Sequence, residues 1–365
     1  MTTQHLNSKN DAIELAQTKL TISLAGSGKD FACHSNESIL DASKRAGLAL
    51  PYSCLSGRCG SCTAKVISGS WHYPKLPQSA LNPREAIDHA LTCQAVPLSD
   101  MVLSLKDIEA VANQQVQQCD AVLVEKTLLT PDVLRIMLLP KTKVTYLAGQ
   151  YLEFILSDGK RRPFSIAGAP RADGMIELHV RKVAGGGFTQ SLFENGAVGD
   201  HFTLDLPHGT FVPRADSDRP LVFLAGGTGF APIKALLEHY CSVSPARSLR
   251  LYWGVRESAD LYLPQAISQF KAQARNFQFT PVLSEQIDFA MRYGSLHDCL
   301  LQDLPDLSAV DVYMSGPPAM IASARPALLA ALLPEDRLYY DSFDFAPDVL
   351  ARIIQAQREL RIGAI

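Results

Sequence analysis

Four cysteines constrain this chain more than any other feature. Cys54, Cys59 and Cys62 fall in PYSCLSGRCGSCTA with C-x4-C-x2-C spacing, and Cys93 follows in LTCQA. Four thiolates suffice to hold two irons and two bridging sulfides, and this spacing suits such a cluster. Gly57 and Gly60 let the loop curl and bring backbone N–H groups toward the sulfurs. The alternative is zinc, which in structural sites takes two similar C-x2–4-C pairs; only one such pair is present, so the spacing favours iron. The segment around the loop, residues 18–106, mixes strand-like runs such as KLTISL with one helix, SILDASKRAG, that closes on Gly47. The other four cysteines, Cys33, Cys119, Cys241 and Cys299, are scattered and read as small buried residues in a reducing cytosol.

The remaining chain changes rhythm twice. Residues 107–118 carry NQQVQQ, which has no apolar periodicity and reads as a linker. From 119 to 214, runs such as AVLVEKTLL, VLRIMLL, YLEFIL, RPFSIA and MIELHVRKV follow one another at close spacing, the pattern of an antiparallel barrel or sandwich. From 218 to 345, strands alternate with helices, from LVFLA and PIKALLEHY to DVYMSG, PAMIASARPALLAALL and RLYYDS, as in a parallel sheet with crossover helices. Residues 1–17 are polar and read as a flexible leader without a signal pattern. Residues 346–365 place Val349, Leu350, Ile353, Ile354 and Leu360 near one helical face, so they read as a helix packed on its own domain.

Charge narrows the function classes. The net charge of −3 supplies no basic footprint for nucleic acid or an anionic membrane. No apolar run reaches the roughly 20 residues that span a bilayer. The expectation is a cytoplasmic protein.

Two segments point to nucleotide cofactors. Arg162-Pro163-Phe164-Ser165 lies on a predicted barrel strand, where a cation, a flat surface and a polar group could meet the phosphates, ring and heteroatoms of a flavin. GGGFTQSLF follows, and its glycines open a helix whose free N–H groups suit a phosphate. Taken alone, RPFS is a weak motif; its place between a strand and a glycine-rich helix start makes it informative. In LVFLAGGTGFAPIKALLEHY, an apolar strand runs into Gly226-Gly227-Thr228-Gly229 and a helix near Pro232. That turn departs from G-x-G-x-x-G but still allows close approach to a pyrophosphate at a helix start. Arg256 could take the extra phosphate of NADPH, whereas Glu257 and Asp260 favour NADH, so the coenzyme stays open between the two. Ser315-Gly316-Pro317-Pro318 ends another strand, and one of Tyr339, Tyr340, Phe343 and Phe345 could stack on a flavin ring.

The order of PYSCLSGRCGSC, Cys93, RPFS, GGGFT, GGTGFAP and SGPP resembles the ferredoxin–NADP reductase superfamily with an N-terminal plant-type ferredoxin, over about residues 18–345. The layout is similar to reductase components of aromatic-ring oxygenases and of CDP-6-deoxy-hexose dehydratases. The resemblance implies a β-grasp ferredoxin domain, an antiparallel β-barrel flavin domain and an α/β doubly wound nucleotide domain. It implies that Cys54, Cys59, Cys62 and Cys93 ligate a [2Fe–2S] cluster, and that Arg162, Pro163, Phe164, Ser165, Gly186, Gly187, Phe188 and Thr189 hold FAD. His179, Arg181 and Phe345 are carried as further cofactor-binding residues. Gly226–Gly229, Pro232, Arg256, Gly316 and Pro317 fall to NADH or NADPH, with Ser165 and Ser315 as candidate catalytic residues. Many relatives have cysteine where Ser315 stands. FAD is implied over FMN because FMN relatives usually carry their ferredoxin at the C-terminus. The implied activity is two-electron uptake from NAD(P)H and one-electron delivery through the cluster to a terminal oxygenase of the Rieske type, with a deoxysugar dehydratase or a di-iron monooxygenase as alternative acceptor.

Overall fold

A computed structural model describes residues 19–343 apart from 53, 75–79, 82–83, 107, 112–113 and 184–186, together with 348–349, 351–352 and 355. The chain divides into two compact units, Met1–Gln115 and Val116–Ile365.

The first unit holds β1 (Lys19–Leu24), β2 (Lys29–His34), β3 (Thr63–Ser68), β4 (Trp71–His72), β5 (His89–Leu91), β6 (Val96–Pro97) and β7 (Met101–Ser104). Five of these form a mixed sheet in the order β2-β1-β7-β3-β5, with β1 parallel to β7 and the other pairs antiparallel. Alternation in β1 sends Ile22 and Leu24 inward. The helix Ile39–Arg45 starts because Ser38 Oγ accepts the Asp41 N–H at 3.1 Å, and the chain turns away at Gly47, whose φ is 73°.

In the second unit, β8 (Gln117–Thr130), β9 (Val133–Pro140), β10 (Tyr151–Ile155), β11 (Arg161–Ser165), β12 (Ile176–Arg181) and β13 (His201–His208) form an antiparallel sheet in the order β11-β10-β13-β8-β9-β12. A bridge between Ile166 and Leu178 joins its two edges, closing the sheet into a barrel. β8 begins at Gln117, inside the segment read as linker, because Gln117 and Gln118 pair with Leu206 and Asp205. Polar side chains do not prevent a ladder that backbone groups make.

A parallel sheet follows, with β14 (Leu221–Gly226), β15 (Leu249–Val255), β16 (Phe277–Leu283), β17 (Arg292–Tyr293), β18 (Asp311–Gly316) and β19 (Leu338–Ser342) in the order β17-β16-β15-β14-β18-β19. The central strand β14 is fully buried: Leu221, Phe223 and Ala225 join one apolar core, Val222 and Leu224 the other. Both faces are covered by helices, as parallel strands require. The chain winds outward from β14 to β17, then returns to place β18 on its other side. The crevice outside the carboxyl ends of β14 and β18 is the topological switch point, where α/β sheets bind ligands.

Candidate cluster, flavin and nucleotide sites

The four cysteines of the loop are brought together as two pairs. Cys62 Sγ and Cys93 Sγ lie 3.2 Å apart, and the Cys59 thiol hydrogen-bonds Cys54. Among the described residues, no three of these sulfurs lie within 4.8 Å of one another. A mononuclear tetrahedral site would gather all four, whereas a binuclear cluster takes two thiolates per iron, so the donor set fits [2Fe–2S] rather than zinc. The loop supplies N–H donors: those of Ser56 and Arg58 reach Cys54 Sγ at 3.4 and 3.3 Å. The Cys54 thiol is pushed down to about 4, first by the Cys59 hydrogen bond and then by Ser56 and Arg58. Left-handed backbone at Gly57 (φ 72°) and Gly60 (φ 77°) makes this curl, and Leu55 shares it at φ 54°.

The flavin candidates lie on β11 and the helix Gly187–Glu194. Arg162 is largely buried, with Nη1 donating to Arg161 O at 3.0 Å. Phe164 meets Phe154 edge-on at 5.5 Å and Phe188 at 5.9 Å, so both aromatics are half-buried against the barrel core. Thr189 Oγ1 accepts the Val183 N–H at 3.2 Å and so braces the start of that helix. A guanidinium beside a helix N-terminus fits a diphosphate. Gly186 and Phe345 lie outside the described residues.

Two turns meet at the crevice. Gly227 has φ 55°, and its carbonyl accepts the Trp253 indole N–H at 2.9 Å; Trp253 stacks on Phe230 at 3.9 Å. A Cβ on Gly229 would overlap Ser315 O, and one on Gly226 would sit 2.6 Å from Met320 Sδ. These two glycines therefore let the turns approach each other, while Gly227 and Thr228 remain partly exposed to the crevice. Pro232 is buried in the helix Phe230–Val243, and Pro317 leads into the helix Pro318–Ala330. Ser315 Oγ is buried and has no hydrogen-bond partner among the described residues, a group that a coenzyme amide would satisfy. Arg181 on β12 ion-pairs with Asp132 at 3.3 Å, and its Nη1 would be 3.3 Å from a Cβ on Gly227. Arg256, at the end of β15, pairs with Asp260 at 3.6 Å.

Three family models match in the same order. The 2Fe-2S iron-sulfur cluster binding domain covers residues 22–98, the oxidoreductase FAD-binding domain 120–212 and the oxidoreductase NAD-binding domain 223–326. The chain is 34% identical over 328 residues to the CDP-6-deoxy-L-threo-D-glycero-4-hexulose-3-dehydrase reductase of Yersinia pestis, covering 89% of this chain and 98% of that one. It is 33% identical to the reductase component 2 of terephthalate 1,2-dioxygenase of Comamonas sp., covering 81% and 89%. A crystal structure of an Amycolatopsis cytochrome P450 reductase superposes with TM-score 0.73 at 32% identity, covering 89% and 98%. The chain belongs to the ferredoxin–NADP reductase superfamily, in the branch with an N-terminal [2Fe–2S] domain.

The reductase is an oxidoreductase that carries electrons between a nicotinamide nucleotide, FAD and a [2Fe–2S] cluster. The His179 side chain is fully buried and engaged within the protein, with Nε2 3.0 Å from Glu177 and Nδ1 3.2 Å from Tyr262. It bridges the barrel strand β12 to Tyr262, in the segment before the helix Pro264–Gln273. Tyr339 stacks on Tyr313 at 4.6 Å and Tyr340 packs on the second core, so Phe343 is the described aromatic left at the end of β19.

Two features of the reductase were not read from sequence. Asp341 on β19 faces Ser165, with Oδ2 3.4 Å from Ser165 Oγ, and burial pushes its carboxyl up to about 6. Lys234 is buried and donates to Ala167 O at 2.9 Å, Glu177 at 3.1 Å and Glu238 at 2.6 Å. Glu153, Asp205 and His208 form the one described three-ligand group that could hold a metal, but Arg161 donates to both carboxylates and serves as their cation.

Proposed function

We propose that this reductase takes hydride from NADH or NADPH and delivers single electrons through its cluster to a Rieske-type aromatic-ring oxygenase in the cytoplasm. Cys54, Cys59, Cys62 and Cys93, gathered as two pairs, would hold the cluster. Arg162 and the start of the helix Gly187–Glu194 hold the FAD phosphates, and Ser165 orients the ring. The Gly226–Gly229 turn receives the coenzyme pyrophosphate, and Ser315 and Gly316 flank the nicotinamide. Bound there, FAD would supply the chemistry that matches a two-electron donor to a one-electron cluster. The residues themselves bind and orient; no nucleophile or acid–base pair is required.

The observation that carries this reading is the pairing of the cysteine sulfurs in a chain that also presents the barrel and the switch-point turns. The likeness to the terephthalate dioxygenase component supports a ring oxygenase as acceptor. The likeness to the dehydrase reductase supports a second reading, delivery to a deoxysugar dehydratase. Anaerobic titration with each nucleotide, followed by absorbance and low-temperature EPR, tests the chain. Flavin bleaching with a rhombic signal below g = 2 is expected, and no bleaching with either nucleotide overturns it. Reoxidation by a Rieske oxygenase but not by a deoxysugar dehydratase is the expected partner result; the reverse selects the second reading.

A further inference from the structure

Asp348 reaches the barrel strand β11. Arg162 Nη2 donates to Asp348 Oδ2 at 2.7 Å, across 186 residues. The same carboxylate oxygen is 3.3 Å from Arg352 Nη2, and Arg352 Nε donates to Asp348 O at 3.2 Å. A Cβ on Gly187, the first residue of the eight-residue helix Gly187–Glu194, would lie 3.7 Å from Arg352 Nη1. Two guanidinium groups and a helix N-terminus therefore converge, with one carboxylate between the cations.

The charges do not balance internally. Arg162 and Arg352 contribute two positive charges and Asp348 one negative, beside the partial positive end of a helix. Such a site favours a dianion, and guanidinium forks suit phosphate oxygens. The Arg352 side chain is 48% exposed and Arg162 12%, so one cation is anchored in the barrel while the other stays accessible.

We infer that the C-terminal segment completes the flavin site, with Arg352 as a second cation for the FAD diphosphate and Asp348 as the residue that positions both guanidinium groups. This rests on the reading that Arg162 holds FAD phosphate. Riboflavin, which has no phosphate, gains nothing from Arg352.

Flavin-free protein is titrated with FAD and, separately, with riboflavin, and dissociation constants are read from flavin fluorescence. Arg352→Ala is expected to weaken FAD about ten- to a hundredfold, the range for losing a charged hydrogen bond, and to leave riboflavin unchanged. Arg352→Lys recovers part of the loss. A chain ending at residue 347 shows a loss at least as large as Arg352→Ala. If FAD affinity stays within twofold in Arg352→Ala, or if riboflavin weakens equally, the inference is overturned. Arg162→Ala separates the two readings. An FAD loss there without one in Arg352→Ala removes only the C-terminal role, and no loss in either removes the barrel-strand assignment as well.

Discussion

Ser165 Oγ lies 3.4 Å from Asp341 Oδ2, so a hydroxyl of the barrel strand β11 and a carboxyl of β19 share one hydrogen bond across 176 residues. Burial pushes the Asp341 carboxyl up to about 6, against the lowering effect of that bond. The protonation state decides which way the bond runs. The neutral carboxyl donates to Ser165 and leaves the hydroxyl proton free for a flavin ring heteroatom; the carboxylate takes that proton instead.

The rate of flavin reduction by NADH should therefore rise about fivefold as pH falls through about 6, the worth of one hydrogen bond. Asp341→Asn, always neutral, should flatten the profile, as stopped-flow traces across that range would show. Stability follows the same group. With its folded value raised, Asp341 contributes most at low pH and loses that contribution between about 3.9, the ordinary value, and about 6. Thermal melts of Asp341→Asn should lack that loss, which is at most about 3 kcal/mol.

Gly229→Ala should be far more damaging than its neighbours in composition suggest. Its Cβ would overlap the Ser315 carbonyl, so the two turns of the crevice must separate. A loss of about 1–3 kcal/mol is expected, with a raised coenzyme KM. Gly174→Ala provides the control: φ there is 72° but nothing lies within 4 Å of the added carbon, so about 1 kcal/mol of backbone strain is expected and KM is unchanged. Equal KM values in the two variants would count against the role of the paired turns.

Arg256 at the end of β15 is paired with Asp260 four residues on. The guanidinium is 58% exposed and leans on Asp260 at 3.6 Å, while Glu257 and Asp260 cap each other in the turn Ser258–Asp260. Asp260→Ala should free the cation for a 2′-phosphate and raise kcat/KM for NADPH relative to NADH about tenfold. The gain should shrink as salt rises, because the pair is exposed.

What sequence made legible was what lies contiguous in the chain. The cysteine loop, the glycine turn and the strand–helix alternation each carry their signal within about twenty residues of spacing or period. The pairing of Asp341 with Ser165, of Arg162 with Asp348, and of Lys234 with Glu177 depends on strands and helices far apart in sequence meeting in one unit. His179 illustrates the converse. A histidine near a cofactor motif reads as a ligand, yet the fold places Glu177 and Tyr262 on its two nitrogens. Only alternation along β12, which puts Glu177 and His179 on one face, hinted at that partnership.

Lys234 gives the sharpest stability prediction. The helix Phe230–Val243 carries it inward, where it reaches the barrel through Ala167 O and Glu177. Burial alone would raise the Glu177 carboxyl, but His179, Lys234 and Arg135 outweigh it and hold it well below the usual carboxylate range. Glu177 therefore stabilises the fold above the ordinary value near 4.3, and that stability is lost as pH falls toward the depressed folded value. Lys234→Met removes one of its cations and should cost about 3–5 kcal/mol at neutral pH, the loss typical of a broken buried pair. It should also shift acid unfolding to higher pH, because the Glu177 carboxylate is then less favoured. Adding Glu177→Gln should restore part of the loss, since a neutral amide no longer needs the ammonium. Denaturant melts at pH 5 and 7 on the single and double variants would measure the coupling. A strictly additive double variant would mean that Lys234 acts through Glu238 and the Ala167 carbonyl alone.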